Sequence, residues 1–186
     1  MTKKEKITTK DWTYNGEVKN GEPHGDGIMK FKNGEKLEGC WKNGNPIKAY
    51  KYILYSNEKK DMRYEYEGTL GWGKGGVLNG KGIFKIIDKV SKPKGYTYLK
   101  GNFVGALLEG KGIRILYYDK NYSRAISLYK GEFKNGFQHG KGIEWFYPNK
   151  YFSEGIFKNN KFKGSKQKPL TKKVFKLILD ANNINK

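Results

Sequence analysis

The sequence predicts an all-β protein, a stack of repeated β-hairpins followed by one C-terminal amphipathic α-helix. The first observation is the stretch 129–146. It sets Tyr129, Gly131 and Phe133 at alternate positions, breaks at Asn135-Gly136, runs through His139, Gly140, Lys141 and Gly142, and resumes at Ile143, Trp145 and Phe146. Alternation at period two marks a strand with one buried face, and Asn-Gly tolerates the positive φ of a tight hairpin turn. The second observation is that the same outline returns at 14–31 and 99–116, and a repeat of this length decides the architecture before any single element is assigned. The third is composition: 25 Gly, 14 Tyr and 10 Phe in 186 residues belong to short strands and turns, not to a disordered chain.

Taken in order, residues 1–11 read as a basic, polar N-terminal arm. The first copy starts near Tyr14, returns through Ile28 to Phe31, and turns at Asn33-Gly34 into the second. That second copy keeps Gly39, Trp41 and Asn43-Gly44 but replaces its His-Gly half with Pro46-Ile47, so its corner is expected to be altered. Tyr50, Tyr52 and Leu54 still alternate as a strand. After an excursion at 56–62, the third copy carries Tyr66, Gly68 and Leu70, and three extra residues within 71–76 present Trp72 in a bulge before Gly80 and Gly82. Connections at 88–95 and 119–124 precede the fourth and fifth copies, and Gly155, Phe157 and Asn159-Asn160 outline a sixth half-copy. The first glycines, at 16, 39, 68, 101, 131 and 155, lie 23, 29, 33, 30 and 24 residues apart. The core unit is therefore the shortest of these, lengthened in the middle copies.

The repeat supplies its own alignment. Val18, Trp41, Leu70, Phe103, Phe133 and Phe157 share one position, and Ile28, Ile83, Ile113 and Ile143 share another. Both read as ladders of stacked core side chains, because a single hairpin cannot bury its face alone. Beyond 166–169 the period changes: Leu170, Val174, Leu177, Ile178 and Ala181 fall at helical spacing, with Thr171 as N-cap and Asn182-Asn183 as the stop. Such a helix is expected to cap the open end of the strand stack in preference to entering a membrane. The expected organisation is an arm at 1–11, repeats at 12–165, and a linker with helix at 166–186.

The formal net charge of +20 makes acidic partners attractive at long range: an anionic membrane face, an acidic protein or nucleic acid. Lys158, Lys161, Lys163, Lys166, Lys168, Lys172, Lys173 and Lys176 form a run with no intervening acid, the pattern of a segment drawn to anionic surfaces. Cys40 is the only cysteine, which excludes an internal disulfide and suits a reducing compartment. The first twelve residues lack the apolar core of a signal peptide, and no apolar run is long enough for a transmembrane helix.

Enzymatic constellations fare poorly. Stretches 75–82 and 105–112 approach a phosphate-binding loop, but glycine stands where Ser or Thr must hold magnesium, and a strand-like isoleucine follows. His24 and His139 occupy equivalent corners of the repeat, where Asn79 and Glu109 stand in other copies, so a turn role explains them better than acid–base chemistry. Cys40 has no histidine partner in the pattern. No enzyme, cofactor or metal site is expected.

The pattern Tyr-x-Gly-x-Phe, Asn-Gly, His-Gly-x-Gly, clearest at 14–27 and 129–142, resembles the MORN (membrane occupation and recognition nexus) repeat, and the resemblance extends over about 14–164. It implies an elongated, single-layer, curved antiparallel β-meander with an aromatic-lined groove on one face. It also implies a scaffold that recruits a partner protein or a second copy of itself; phosphoinositide-type membrane binding is the second function proposed for such repeats. The altered second copy and the lengthened third would interrupt a smooth groove. A single layer leaves one face without cover from its own sheet, and an exposed aromatic stripe there would take a peptide, a helix or another copy. Trp72, Trp145, Tyr147 and Tyr151 are the candidates for that groove. The leading expectation is therefore a non-enzymatic, cytoplasmic scaffold binding another protein or itself. Peripheral binding to anionic phospholipid through the eight lysines is the alternative, and nucleic acid ranks third.

Overall fold

A computed structural model describes residues 2–55, 61–72, 78–90, 95–117 and 124–184. Its elements in chain order are β1 (Lys3–Thr8), β2 (Trp12–Lys19), β3 (Glu22–Phe31), β4 (Lys36–Lys42), β5 (Asn45–Tyr55), β6 (Met62–Trp72), β7 (Leu78–Asp88), β8 (Tyr96–Val104), β9 (Leu107–Tyr117), β10 (Ala125–Lys134), β11 (Phe137–Phe146), β12 (Tyr151–Lys158), β13 (Lys161–Phe162), β14 (Lys168–Pro169) and α1 (Lys172–Asn183). The strands form one antiparallel sheet in which β1 to β13 follow one another in sequence order, while β14 pairs with β12. This is the meander of hairpins that the repeat predicts.

The turns obey the local chemistry. Asn20-Gly21, Asn43-Gly44, Asn135-Gly136 and Asn159-Asn160 each hold two successive positive φ values, the geometry whose twist matches that of the flanking strands. Gly105-Ala106 does the same at the β8–β9 turn, with Ala106 at φ 62°, so a hairpin turn forms there without the Asn-Gly signal. The second phosphate-loop-like stretch is this turn and the strand after it, with no helix behind; residues 75–77 of the first lie outside the described residues.

The repeat glycines align across the sheet in an unbroken register on the later strands, from Gly68 to Gly82, Gly101, Gly112, Gly131, Gly142 and Gly155. Their purpose is clearest at Gly142. A Cβ there would collide with the ring and hydroxyl of Tyr129, so the close approach of tyrosine to backbone requires glycine. Tyr14, Trp41, Tyr66, Phe103, Tyr129, Phe133 and Phe157 are all buried in one cluster on this face. Tyr129 meets Phe133 and Phe157 edge-on, each at 5.0 Å between centroids, the geometry that ring quadrupoles favour.

Two places, the N-terminal arm and the seat of the helix, differ from the sequence expectation, and the second copy shows the altered corner expected of it. Residues 3–8, expected as an arm, pair with β2 from Lys3↔Val18 to Thr8↔Thr13; Ile7 alone packs against the cluster, too little apolar patterning to announce a strand. The altered second copy keeps its strands, but β4–β5 pairing shifts register twice, flanking Gly39–Cys40. The helix forms where its spacing predicts, with Thr171 Oγ1 accepting from the Val174 amide, yet it caps a face and not an edge. The outer edge of β12 is met instead by β13 at one end and β14 at the other.

Candidate functional site

The face opposite the tyrosine ladder is where the sequence places an uncovered aromatic stripe, and the chain fills much of it with its own helix. Val174, Ile178 and Ala181 of α1 join Tyr96, Tyr98, Ile115, Tyr117, Leu128, Trp145 and Phe152 in a second buried cluster. Two polar contacts fasten the helix end. The Tyr117 hydroxyl donates to the Ala181 carbonyl at 2.6 Å, and Asn182 Oδ1 accepts from the Ala125 amide at 2.8 Å.

The four candidate aromatics are therefore not one stripe. Trp145 is only 5% exposed, lying in the cluster with α1, and its Nε1–H donates to the Asn149 carbonyl at 2.8 Å. Tyr147 is 48% exposed; its ring contacts Trp145, the Arg124 guanidinium lies 5.1 Å from its centroid, and Arg124 Nη1 donates to its hydroxyl. Tyr151 is also open, but it precedes buried Phe152 in β12, and alternation sends the two to opposite faces. Trp72 ends β6 opposite Leu78; its side chain lies outside the described residues. Sequence reasoning missed the exposed apolar residues of the helix itself, Phe175 at 53% and Leu179 at 46%. Helix geometry sets them on the flank away from Lys173 and Leu177. The signal was present as apolar residues off the main stripe.

The eight tail lysines are all exposed and spread over several elements. Lys158 and Lys161 pair across the β12–β13 turn. Lys163 and Lys166 lie in the linker, Lys168 in β14, and Lys172, Lys173 and Lys176 on α1. Lys168 is committed to Glu154 at 2.8 Å, a contact that holds the Glu154 carboxyl below its usual range.

The residues that could have signalled catalysis serve the fold. The Tyr14 hydroxyl reaches the carbonyls of Glu17 and His24 at 3.0 and 3.3 Å, and Tyr129 repeats this with Glu132 and His139 at 3.0 and 3.4 Å. The histidines thus contribute main-chain acceptors to the corner, while Nδ1 of each is buried without a hydrogen-bond partner. Buried Gln138 donates to Glu144 at 2.6 Å, and burial pushes the Glu144 carboxyl above its ordinary range. Among the described residues no group of three or more His, Cys, Asp or Glu side chains is arranged to hold a metal ion. No helix among them is long and apolar enough to cross a membrane.

A family model for the MORN repeat matches residues 14–36 and 129–149. No curated protein matches the chain.

Proposed function

We propose that this chain, a MORN-repeat protein, is a non-enzymatic scaffold that docks a partner protein or a second copy of itself on the helix-bearing face of its sheet. The observation that carries this reading is the exposure of Phe175 and Leu179 on a helix that has already buried Val174, Ile178 and Ala181. An amphipathic helix needs one apolar flank to pack on its sheet; a second one exposed to solvent is the character of an interaction surface. Tyr147, supported from below by Trp145, adds an amphipathic ring on the same side of β11. Tyr151 alternates to the other face of β12 from Phe152, so it stands outside this docking face, and the Trp72 side chain lies outside the described residues.

Light scattering coupled to size exclusion tests the reading at low and high salt, with the F175S/L179S double variant beside the parent chain. Self-docking predicts a dimer that persists at high salt and is lost in the variant. Docking of another protein predicts a monomer whose co-elution with that partner is lost in the same variant. A chain that associates with nothing except acidic vesicles contradicts the proposal.

A second reading, peripheral binding to anionic phospholipid, draws on one specific observation: Lys172 and Lys176 lie on the outer side of the same helix as Phe175 and Leu179. Apolar side chains flanked by lysines suit the interfacial region of an anionic bilayer. Vesicle co-sedimentation that collapses with added salt, and with K172E/K176E, is its expected signature.

A further inference from the structure

The alignment of the repeat glycines has a second product on the helix-bearing face. Tyr129 meets Gly131 and Gly142 from one side of the sheet, so the residue directly before each glycine points to the other side. On β7 to β11 these residues are Lys81, Lys100, Lys111, Lys130 and Lys141, one on each of five successive strands. At neighbouring strands about 4.8 Å apart, the band runs for roughly 19 Å. All five are exposed, and among the described residues none lies in an ion pair.

Packing does not dictate this run of one charge. The same repeat position carries Asn15, Asp26, Glu38, Glu67 and Glu154 on other strands. Of these, Glu38 pairs with Lys36 and Glu154 with Lys168. Copies four and five replace the acid with Lys100 and Lys130, which lie opposite isoleucines (Ile83, Ile113 and Ile143) and on the diagonal to the lysines of the adjacent strands, while Lys111 lies opposite Glu132. Long side chains on that diagonal are still within reach of one another, so the like charges repel. The five lysines surround a depression of roughly 520 Å³ floored by Gly101, Gly112 and Gly131, where the absent side chains leave room above the backbone. One carboxylate, Glu132, also borders it, but its Oε2 is directed at the Gly140 corner. A neighbouring depression of roughly 470 Å³ shares Lys130 and Lys141 and adds Lys173 from α1.

We propose that this band is a binding site for a compact soluble polyphosphate, an anion carrying several phosphate groups close together on one small molecule. Lysine ammoniums are strong phosphate donors that reorient freely around such a ligand. The volume falls within the range of small-molecule sites. The helix favours a soluble ligand over a membrane headgroup: α1 stands on the same face and is about 10 Å thick, so a flat bilayer resting on it is held away from the glycine floor. The site is independent of the apolar docking flank, since Lys173 and Phe175 lie on opposite sides of α1.

The test is calorimetric titration of the intact chain with inositol hexakisphosphate and with tripolyphosphate at about 0.15 M salt. Parallel arms use vesicles bearing polyphosphorylated headgroups and a single-stranded oligonucleotide. The parent chain is expected to bind the soluble polyphosphates saturably and to gain thermal stability from them. K100E/K130E restores the acids found at this position in other copies, so the strands tolerate it, and its unfolding midpoint without ligand is expected to stay level or rise. Its affinity is expected to fall at least about tenfold, the loss of one or two charge-assisted contacts. The control K158E/K161E makes the same change in net charge away from the band and is expected to lose no more than about twofold. Equal losses in the two variants, or no saturable binding by about 1 mM, overturns the proposal. Tighter binding to vesicles or to the oligonucleotide than to the soluble anions also overturns it, in favour of a membrane or a polymer.

Discussion

The hydroxyl of Tyr129 and the missing side chain of Gly142 share one small space. That tyrosine is fully buried, yet its oxygen reaches two carbonyls at the repeat corner, and glycine opposite lets it arrive there. Y129F is expected to lower the unfolding free energy by about 1 kcal/mol, the net worth of such a hydrogen bond. G142A is expected to cost about 2 kcal/mol or more, because the added methyl meets a ring held on both sides by other rings. Urea unfolding of the two variants checks both values. Burial also pushes the Tyr14, Tyr66 and Tyr129 phenols from 10.0 up to about 12. With folded values above unfolded ones, the chain loses stability as pH rises: the contribution is intact below pH 10 and is lost progressively towards pH 12. Unfolding midpoints that stay level across that window would contradict this burial.

At the scale of elements, the joint between α1 and the sheet rests on a small apolar seat and two polar fastenings. Y117F removes the donor to the Ala181 carbonyl, which keeps its bond from the Ile184 amide, and is expected to cost about 1 kcal/mol, the net worth of one such hydrogen bond. Truncation before Thr171 is expected to expose Tyr96, Tyr98, Trp145 and Phe152 and to produce binding of a hydrophobic dye that the full chain lacks. Unchanged dye binding would show that the helix does not cover that cluster. The helix was legible in the sequence, because Val174, Ile178 and Ala181 repeat at its period. Its seat was not. Alternation assigns Trp145 to a face but is silent on what covers that face, so a tryptophan under the chain's own helix reads the same as one awaiting a partner. β1 was hidden for a related reason, since Ile7 is its only side chain packed on the core. The β8–β9 turn uses Ala106 at positive φ, a choice that turn chemistry does not foresee. The lysine band was equally unread: its members are 11 to 19 residues apart in sequence and become neighbours only through the glycine register.

For the whole molecule, consecutive strand order means that contacts are nearly all between sequence neighbours, with α1 returning across the face of the later strands. A formal charge of +20 acts against this compact state through self-repulsion. Moderate salt is therefore expected to raise the unfolding midpoint, and K100E/K130E to weaken that salt response; a midpoint that falls with salt in the parent chain would contradict the repulsion. The charge and the apolar helix flank make separate demands, one for an anion beside α1 and one for a surface that covers Phe175 and Leu179. The proposal that this chain docks protein on its helix-bearing face is tested most directly by photo-crosslinking in cells. A photoreactive amino acid replaces Phe175, with exposed Lys32 as the control position. Docking predicts a discrete protein adduct, to a second copy or to one partner, formed from position 175 and absent from position 32. Adducts to lipid alone, or the same diffuse adducts from both positions, would contradict it.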